Sequence, residues 1–118
     1  MDGEISADEL ADLIETGADV RVVDIRSPGQ FERGHVPGSI NIPFAELSQR
    51  VEELNGANRV VTVCPHGQAS VQAARLIGSY EGMTGTVESL APGIEGWAAT
   101  YDLERDGPAD ESETDAPF

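Results

Sequence analysis

Residues 59–63 (Arg-Val-Val-Thr-Val) and 20–25 (Val-Arg-Val-Val-Asp-Ile) are the two stretches of this chain richest in consecutive β-branched residues. Such runs, bounded by turn formers, predict strands buried on both faces. Two shorter runs, 39–42 and 86–90, predict further strands, the first stopped by Pro43. Between them the apolar period lengthens. Leu10, Leu13 and Ile14 share one helical face, opened by a capping box of Ser6 and Glu9 and stopped at Gly17. Ser27-Pro28-Gly29-Gln30 starts a short helix that Gly34 ends. Phe44, Leu47, Val51 and Leu54 recur at helical spacing, which predicts one helix over about 44–54, broken by Asn55-Gly56. Residues 70–77 predict another, with Ser70 as N-cap and Val71, Ala73, Ala74 and Ile77 turned inward. Pro92 to Trp97 leads into a last helical turn near Tyr101, with Trp97 read as core. Strands alternating with helices imply an α/β fold: a parallel sheet covered on both faces, with ligands at the carboxyl ends of its strands.

The only cysteine, Cys64, falls where the strand 59–63 gives way to the helix that follows. The first amides of a helix lack intrahelical partners and carry partial positive charge, so a thiol held there ionises more readily, and the thiolate is the nucleophile. Two readings of Cys64 stand: a reactive thiol, or a structural cysteine of the buried kind common in cores. Pro65, His66 and Gly67 favour the first, because they form loops rather than cores, and Gly67 permits the positive φ that turns successive amides inward as an anion nest.

Composition narrows the partners. A chain of 118 residues suits one domain, here 1–101, followed by an acidic tail, 102–118, with almost nothing apolar to bury and therefore expected to be disordered. That tail is read as a solvated end or an interaction arm. With no long apolar segment and no secretory signal, the expectation is a soluble cytoplasmic protein. One cysteine excludes an internal disulfide and leaves any oxidised or sulfur-loaded state to be resolved by another molecule. One Cys and two His without paired ligand spacing do not close a zinc site, and no Gly-rich nucleotide loop is present, so neither metal nor cofactor is expected. The net charge of −15, with seven arginines and no lysine, repels nucleic acid and anionic membranes. It fits either a halophilic protein adapted to a high-salt cytoplasm, where salt screens the self-repulsion, or simply an acidic soluble domain.

Four motifs now stand in register: Val23-Asp24-Ile25-Arg26; Phe31-Glu-Arg-Gly34-His35-Val-Pro-Gly38-Ser-Ile-Asn41-Ile-Pro43; Cys64-x-x-Gly67-x-x-Ser70; and Val87-x-x-Leu90-x-x-Gly93-Ile-x-x-Trp97. In order and spacing, over about residues 4–101, they resemble the rhodanese-like sulfurtransferase domain. The resemblance implies a three-layer α/β/α fold on a central, mostly parallel five-stranded sheet. It also implies a carrier of sulfane sulfur, in which Cys64 takes sulfur from thiosulfate or a persulfide, free or on a protein, and passes it as a persulfide to an acceptor thiol, cyanide or a sulfur-carrier protein. The cradle for that persulfide is expected in the loop Pro65, His66, Gly67, Gln68, Ala69 and Ser70, through the amides of 66–70 since proline has none. His66 either adds positive charge near the donor or is an exposed loop histidine. Asp24 and Arg26 are expected to brace the active-site loop, with Arg26 the nearest cation for a donor, and His35 to stabilise its own turn through ring hydrogen bonds.

The chain also departs from the family's pattern. Where the loop often reads Cys-x-x-Gly-x-Arg-Ser, Ala69 replaces the arginine, and Pro65 stands where a basic residue is frequent. A doubly charged anion such as thiosulfate should therefore bind poorly, which favours a protein or low-molecular-weight persulfide donor. Related phosphatases and arsenate reductases use Cys-x5-Arg, but Ser70 occupies that sixth position, so the clamp for a tetrahedral oxyanion is missing. The rival of another class is a non-catalytic rhodanese-like binding or regulatory module.

Overall fold

The computed structural model describes residues 2–105. Five strands, β1 (Asp2–Ile5), β2 (Arg21–Asp24), β3 (Ile40–Asn41), β4 (Arg59–Val63) and β5 (Thr86–Leu90), form one sheet in the order β1-β5-β4-β2-β3. Every pairing between them is parallel. The helices are α1 (Ala7–Glu15), α2 (Pro28–Arg33), α3 (Leu47–Arg50), α4 (Ala69–Gly78) and α5 (Gly93–Ala98). Together they give the three-layer α/β/α architecture expected from sequence.

The period of two along each strand sorts the core into two layers. Val23, Val60, Cys64 and Val87 face one side, where they pack with Leu47, Leu54, Ala73, Ala74 and Ile77 of the α3 and α4 regions. Val22, Val61, Val63 and Leu90 face the other, against Leu10, Ile94 and Trp97 from α1 and α5. The central strand β4 thus buries both faces, which is why its sequence shows no polar alternation. Both predicted capping boxes are present, Ser6 with Glu9 on α1 and Ser27 with Gln30 on α2. Gly17, at φ 74°, follows α1 as its stop.

Four details differ from the sequence reading. The fifth strand is β1, which pairs with β5 at the sheet edge and ends in the buried Ile5 opposite Leu90. The helix expected over about 44–54 is broken into the single α-turn α3 between two tighter 3-10 turns, Phe44–Glu46 and Val51–Leu54, with Arg50 at φ −118°, ψ 6° breaking the helical path. Leu47, Val51 and Leu54 still reach the core, while Phe44 is exposed. Ser70 is not an N-cap: α4 begins two residues earlier, with Gln68 in that position, and Ser70 is buried inside the first turn.

Residues 102–104, assigned to the tail on composition, lie against the domain. The Trp97 indole donates to the Asp102 carbonyl, Leu103 packs on Gly34, and Glu104 and His35 exchange backbone hydrogen bonds at 2.8 and 2.9 Å. Composition misled because the backbone groups of this segment, rather than its side chains, make most of these bonds. The remainder of the expected tail, 106–118, lies outside the described residues. No helix among the described residues is long and apolar enough to cross a membrane.

Candidate active site at the β4–α4 junction

Strand β4 delivers Cys64 to the carboxyl edge of the sheet, and α4 starts five residues later. Between them the chain curls around the sulfur. The Gly67 amide donates to Cys64 Sγ at 3.0 Å and the Ser70 amide at 3.2 Å. Gly67 reaches this position with φ 89°, and a Cβ there would overlap the Ala91 carbonyl oxygen, so glycine is required on two independent counts. Thr62, on the same face of β4, donates its hydroxyl to the Ser70 carbonyl at 2.7 Å and fixes the first turn of α4 to the sheet.

The loop carbonyls turn the opposite way, toward α5. The Ile94 amide donates to the Cys64 carbonyl at 2.8 Å and the Glu95 amide to the Pro65 carbonyl at 3.2 Å. These donors are first-turn amides of α5, which have no intrahelical partner of their own. Gly93 makes the approach possible. At φ 69°, its missing Cβ would stand 2.5 Å from the Pro65 oxygen and 2.7 Å from both the Cys64 oxygen and the Gly67 nitrogen. The segment is thereby sorted: amides of Gly67 and Ser70 inward to sulfur, carbonyls of Cys64 and Pro65 outward to a second helix.

The electrostatic outcome is a thiol that ionises early. Burial pushes Cys64 up, but the Ser70 hydroxyl and the amides of Ser70, Gly67 and His66 together outweigh it and hold the thiol below its ordinary value. The two amide bonds have good geometry and carry the argument. The Ser70 hydroxyl, fully buried beside the sulfur, has no partner at hydrogen-bonding geometry among the described residues. Cys64 itself is 2% exposed, while Gln68, Ala69 and His66 around it are exposed. Ala69 presents only a methyl group to solvent.

Among the described residues the side chains of His66, Asp24, Arg26 and His35 make no hydrogen bond to the sulfur. His66 is a surface residue whose Nδ1 lies 3.3 Å from Glu95 Oε1, so any positive charge on it faces a carboxylate. Asp24 is fully buried and grips Arg26 through bonds of 2.7–3.1 Å, and the guanidinium also donates to the Gly34 carbonyl at 2.7 Å. Asn41 donates to the carbonyls of both Asp24 and Arg26. Among the described residues no hydrogen bond or ion pair of Asp24 or Arg26 reaches 65–70. The expected brace of the cysteine loop is therefore a brace of the α2–β3 connection, because the short span from β2 to α2 brings Gly34 within reach first. His35 is buried, stacks on Phe31 with ring centroids 3.8 Å apart, and places Nδ1 2.7 Å from the Phe31 carbonyl. It stabilises its own turn, as its motif suggests.

Sequence reasoning did not assign the α5 amides or Ala91 to the site. Gly93, beside Pro92 and inside the last motif, was the available signal. Among the described residues no three His, Cys, Asp or Glu side chains gather as a metal cluster.

Comparisons with known proteins agree with this geometry. The rhodanese-like domain family model matches residues 6–100. A sulfurtransferase of Allochromatium vinosum is 32% identical over 98 residues, covering 83% of this chain and 90% of its own. A Bacillus subtilis protein, YrkF, provisionally named a sulfur carrier, is 28% identical over 94 residues, and this chain spans 50% of its length. Among solved structures, a rhodanese-related protein of Thermoplasma volcanium superposes with a TM-score of 0.76 at 27% identity, over 88% of this chain and 99% of that one. The human single-domain sulfurtransferase TSTD1 gives 0.72 at 26% identity, over 84% and 97%. A match over most of the described chain, on a sheet of the same architecture with the cysteine loop at its carboxyl edge, makes this chain a member of the rhodanese-like domain family.

Proposed function

We propose that this chain is a sulfurtransferase that carries sulfane sulfur as a persulfide on Cys64. The observation that carries the reading is the pair of amide bonds, from Gly67 and Ser70, to a sulfur whose ionisation is favoured. The Cys64 thiolate attacks the outer sulfur of a donor persulfide, R–S–SH. The S–S bond of the donor breaks, R–S⁻ leaves with the electron pair, and Cys64–S–SH remains. An acceptor thiolate then attacks the outer sulfur in turn, taking it away and restoring the Cys64 thiolate, so no net oxidant is consumed. The inward amides, together with the unpartnered Ser70 hydroxyl, are suited to hold an anionic terminal sulfur.

Donor choice follows from the mouth of the site. Ala69 offers no guanidinium, Pro65 no charge, and Glu95 sets a carboxylate beside His66. Thiosulfate, doubly negative, meets a poorer reception there than a persulfide carried by a small thiol or a protein. A lone thiol that needs an external partner to be reset suits a reducing cytoplasm.

Incubation with a persulfide donor, followed by intact-mass analysis, should give a gain of one sulfur atom that cyanide removes and that Cys64→Ser abolishes. No adduct with any donor would replace this reading with that of a binding module. Efficient turnover of thiosulfate at low millimolar concentration would overturn the donor preference alone.

A further inference from the structure

On the side of the sheet opposite α4, the chain carries a groove of about 290 Å³ floored by Ile14, Pro37, Trp97 and Tyr101. Its rim is entirely acidic: Asp8, Asp12 and Glu15 from α1, and Asp102 after α5. Among the described residues none of these four carboxylates meets an arginine. Asp8 takes the Tyr101 hydroxyl, and the side chains of the other three make no hydrogen bond. Unpaired carboxylates are common in a chain with 22 acidic residues and seven basic ones, so what distinguishes these four is that they ring one apolar hollow.

We propose that this groove docks a basic segment of a partner protein, with an arginine or lysine side chain laid over the aromatic floor and its charge met by the acidic rim. Three observations carry the assignment. The charge is complementary, because four carboxylates converge on one apolar hollow and among the described residues none of them is paired with an arginine. The half-buried Tyr101 ring, backed by the buried Trp97 with centroids 4.8 Å apart, gives the aliphatic stem and the cation an aromatic surface. The volume is just below the roughly 300–1,000 Å³ of enclosed small-molecule pockets, which suits a side chain or two of a docked peptide. The negative potential registers at the Tyr101 phenol, held above its ordinary value first by its bond to Asp8, then by burial and the charges of Asp8, Asp12 and Glu15.

The placement is useful to a protein that works on protein partners. Trp97 stands one turn along α5 from the amides that hold the Cys64 and Pro65 carbonyls. A segment seated in the groove is therefore anchored on the element that closes the cysteine loop. The inference concerns binding alone and does not depend on the sulfur chemistry.

Trp97 is the sole tryptophan of the chain and reports directly on the groove. The full chain is titrated at low ionic strength with acetyl-Arg-Arg-Leu-Arg-amide while Trp97 emission is followed. The expected result is a saturable change, with affinity reduced about tenfold in Asp12→Asn/Glu15→Gln, which removes two solvent-exposed charge pairings with the peptide. The pair Glu52→Gln/Glu81→Gln removes the same charge from other exposed positions outside the groove and should leave affinity unchanged. Circular dichroism checks that both double variants are folded. Equal weakening in the two pairs would mean a response to net charge alone and overturns the site. So would equal binding of the citrulline version of the peptide, equal binding of spermidine, or no saturable change at all.

Discussion

Replacing Gly93 with alanine tests the central geometry at a residue that contributes no side chain to it. Alanine must adopt φ 69°, in the left-handed region, at a cost of roughly 1–2 kcal/mol. Its Cβ would also press on the Pro65 oxygen at 2.5 Å and on the Cys64 oxygen and Gly67 nitrogen at 2.7 Å. All three are backbone atoms, so relief requires the loop and α5 to move apart. That motion strains the Ile94–Cys64 and Glu95–Pro65 hydrogen bonds, worth about 1 kcal/mol each. The sum is about 3 kcal/mol, which for a domain of this size corresponds to a fall of roughly 12–24 °C in Tm. The Gly67 amide is one of the atoms displaced, so the thiol should also move up toward its ordinary value. Thermal denaturation followed by circular dichroism reads the first effect, and the pH profile of Cys64 alkylation by iodoacetamide the second. Gly78→Ala is the control: it sits at the end of α4 with open space around its Cβ position and should stabilise by about 0.5–1 kcal/mol. If Gly93→Ala melts within a few degrees of the parent and alkylates with the same pH profile, the α5 clamp does not hold the loop.

Other expectations follow from the same contacts. Asp24→Ala strands a nearly buried guanidinium and should cost about 3–5 kcal/mol in urea denaturation, with the alkylation profile of Cys64 unchanged because the pair does not touch 65–70. Ser70→Ala removes a buried hydroxyl that lacks a hydrogen-bonding partner, so stability should hold or rise by about 1 kcal/mol. The thiol should at the same time shift upward and retain persulfide less well. Because the native thiol lies below its ordinary value of 9.0, the folded state releases its proton first. Its contribution to stability is complete above that value and is lost as pH falls through the native one. The stability difference between parent and Cys64→Ala should therefore grow from neutral pH toward alkaline pH, and a flat difference would contradict the assigned shift. With a net charge of −15, denaturation midpoints should rise with potassium chloride concentration, and no rise would dismiss adaptation to high salt.

The part of the fold that reads directly from sequence is the part fixed by local pattern. Residues 59–63 have one composition and one period, and the turn formers after them leave Cys64 nowhere but the sheet edge. Gly67 announces a positive φ because its neighbours form a loop. What escapes such reading is decided between distant segments. Strand β1, Asp-Gly-Glu-Ile, has little intrinsic preference for a strand and forms because β5 offers it an edge and Leu90 a partner for Ile5. The spacing of Leu47, Val51 and Leu54 reports correctly which side chains are buried, but it does not reveal that the backbone passes from the α-turn α3 into a 3-10 turn at Val51. Ser70 looks like an N-cap by its place before an apolar run, yet its amide is claimed by sulfur and its carbonyl by Thr62. The Asp24–Arg26 pair is evident as a motif, while its true destination, Gly34, depends on how α2 returns to the sheet.

The reach of α5 across to the cysteine loop has a temporal side. The sulfur and its amide donors lie within residues 64–70, but the amides that hold their carbonyls come from Ile94 and Glu95, made some twenty-five residues later in synthesis. A growing chain that has emerged only as far as α4 holds the thiol without its clamp. The loop around the sulfur is therefore fully held only when the final strand and helix dock, which makes its geometry a late event in the assembly of the domain.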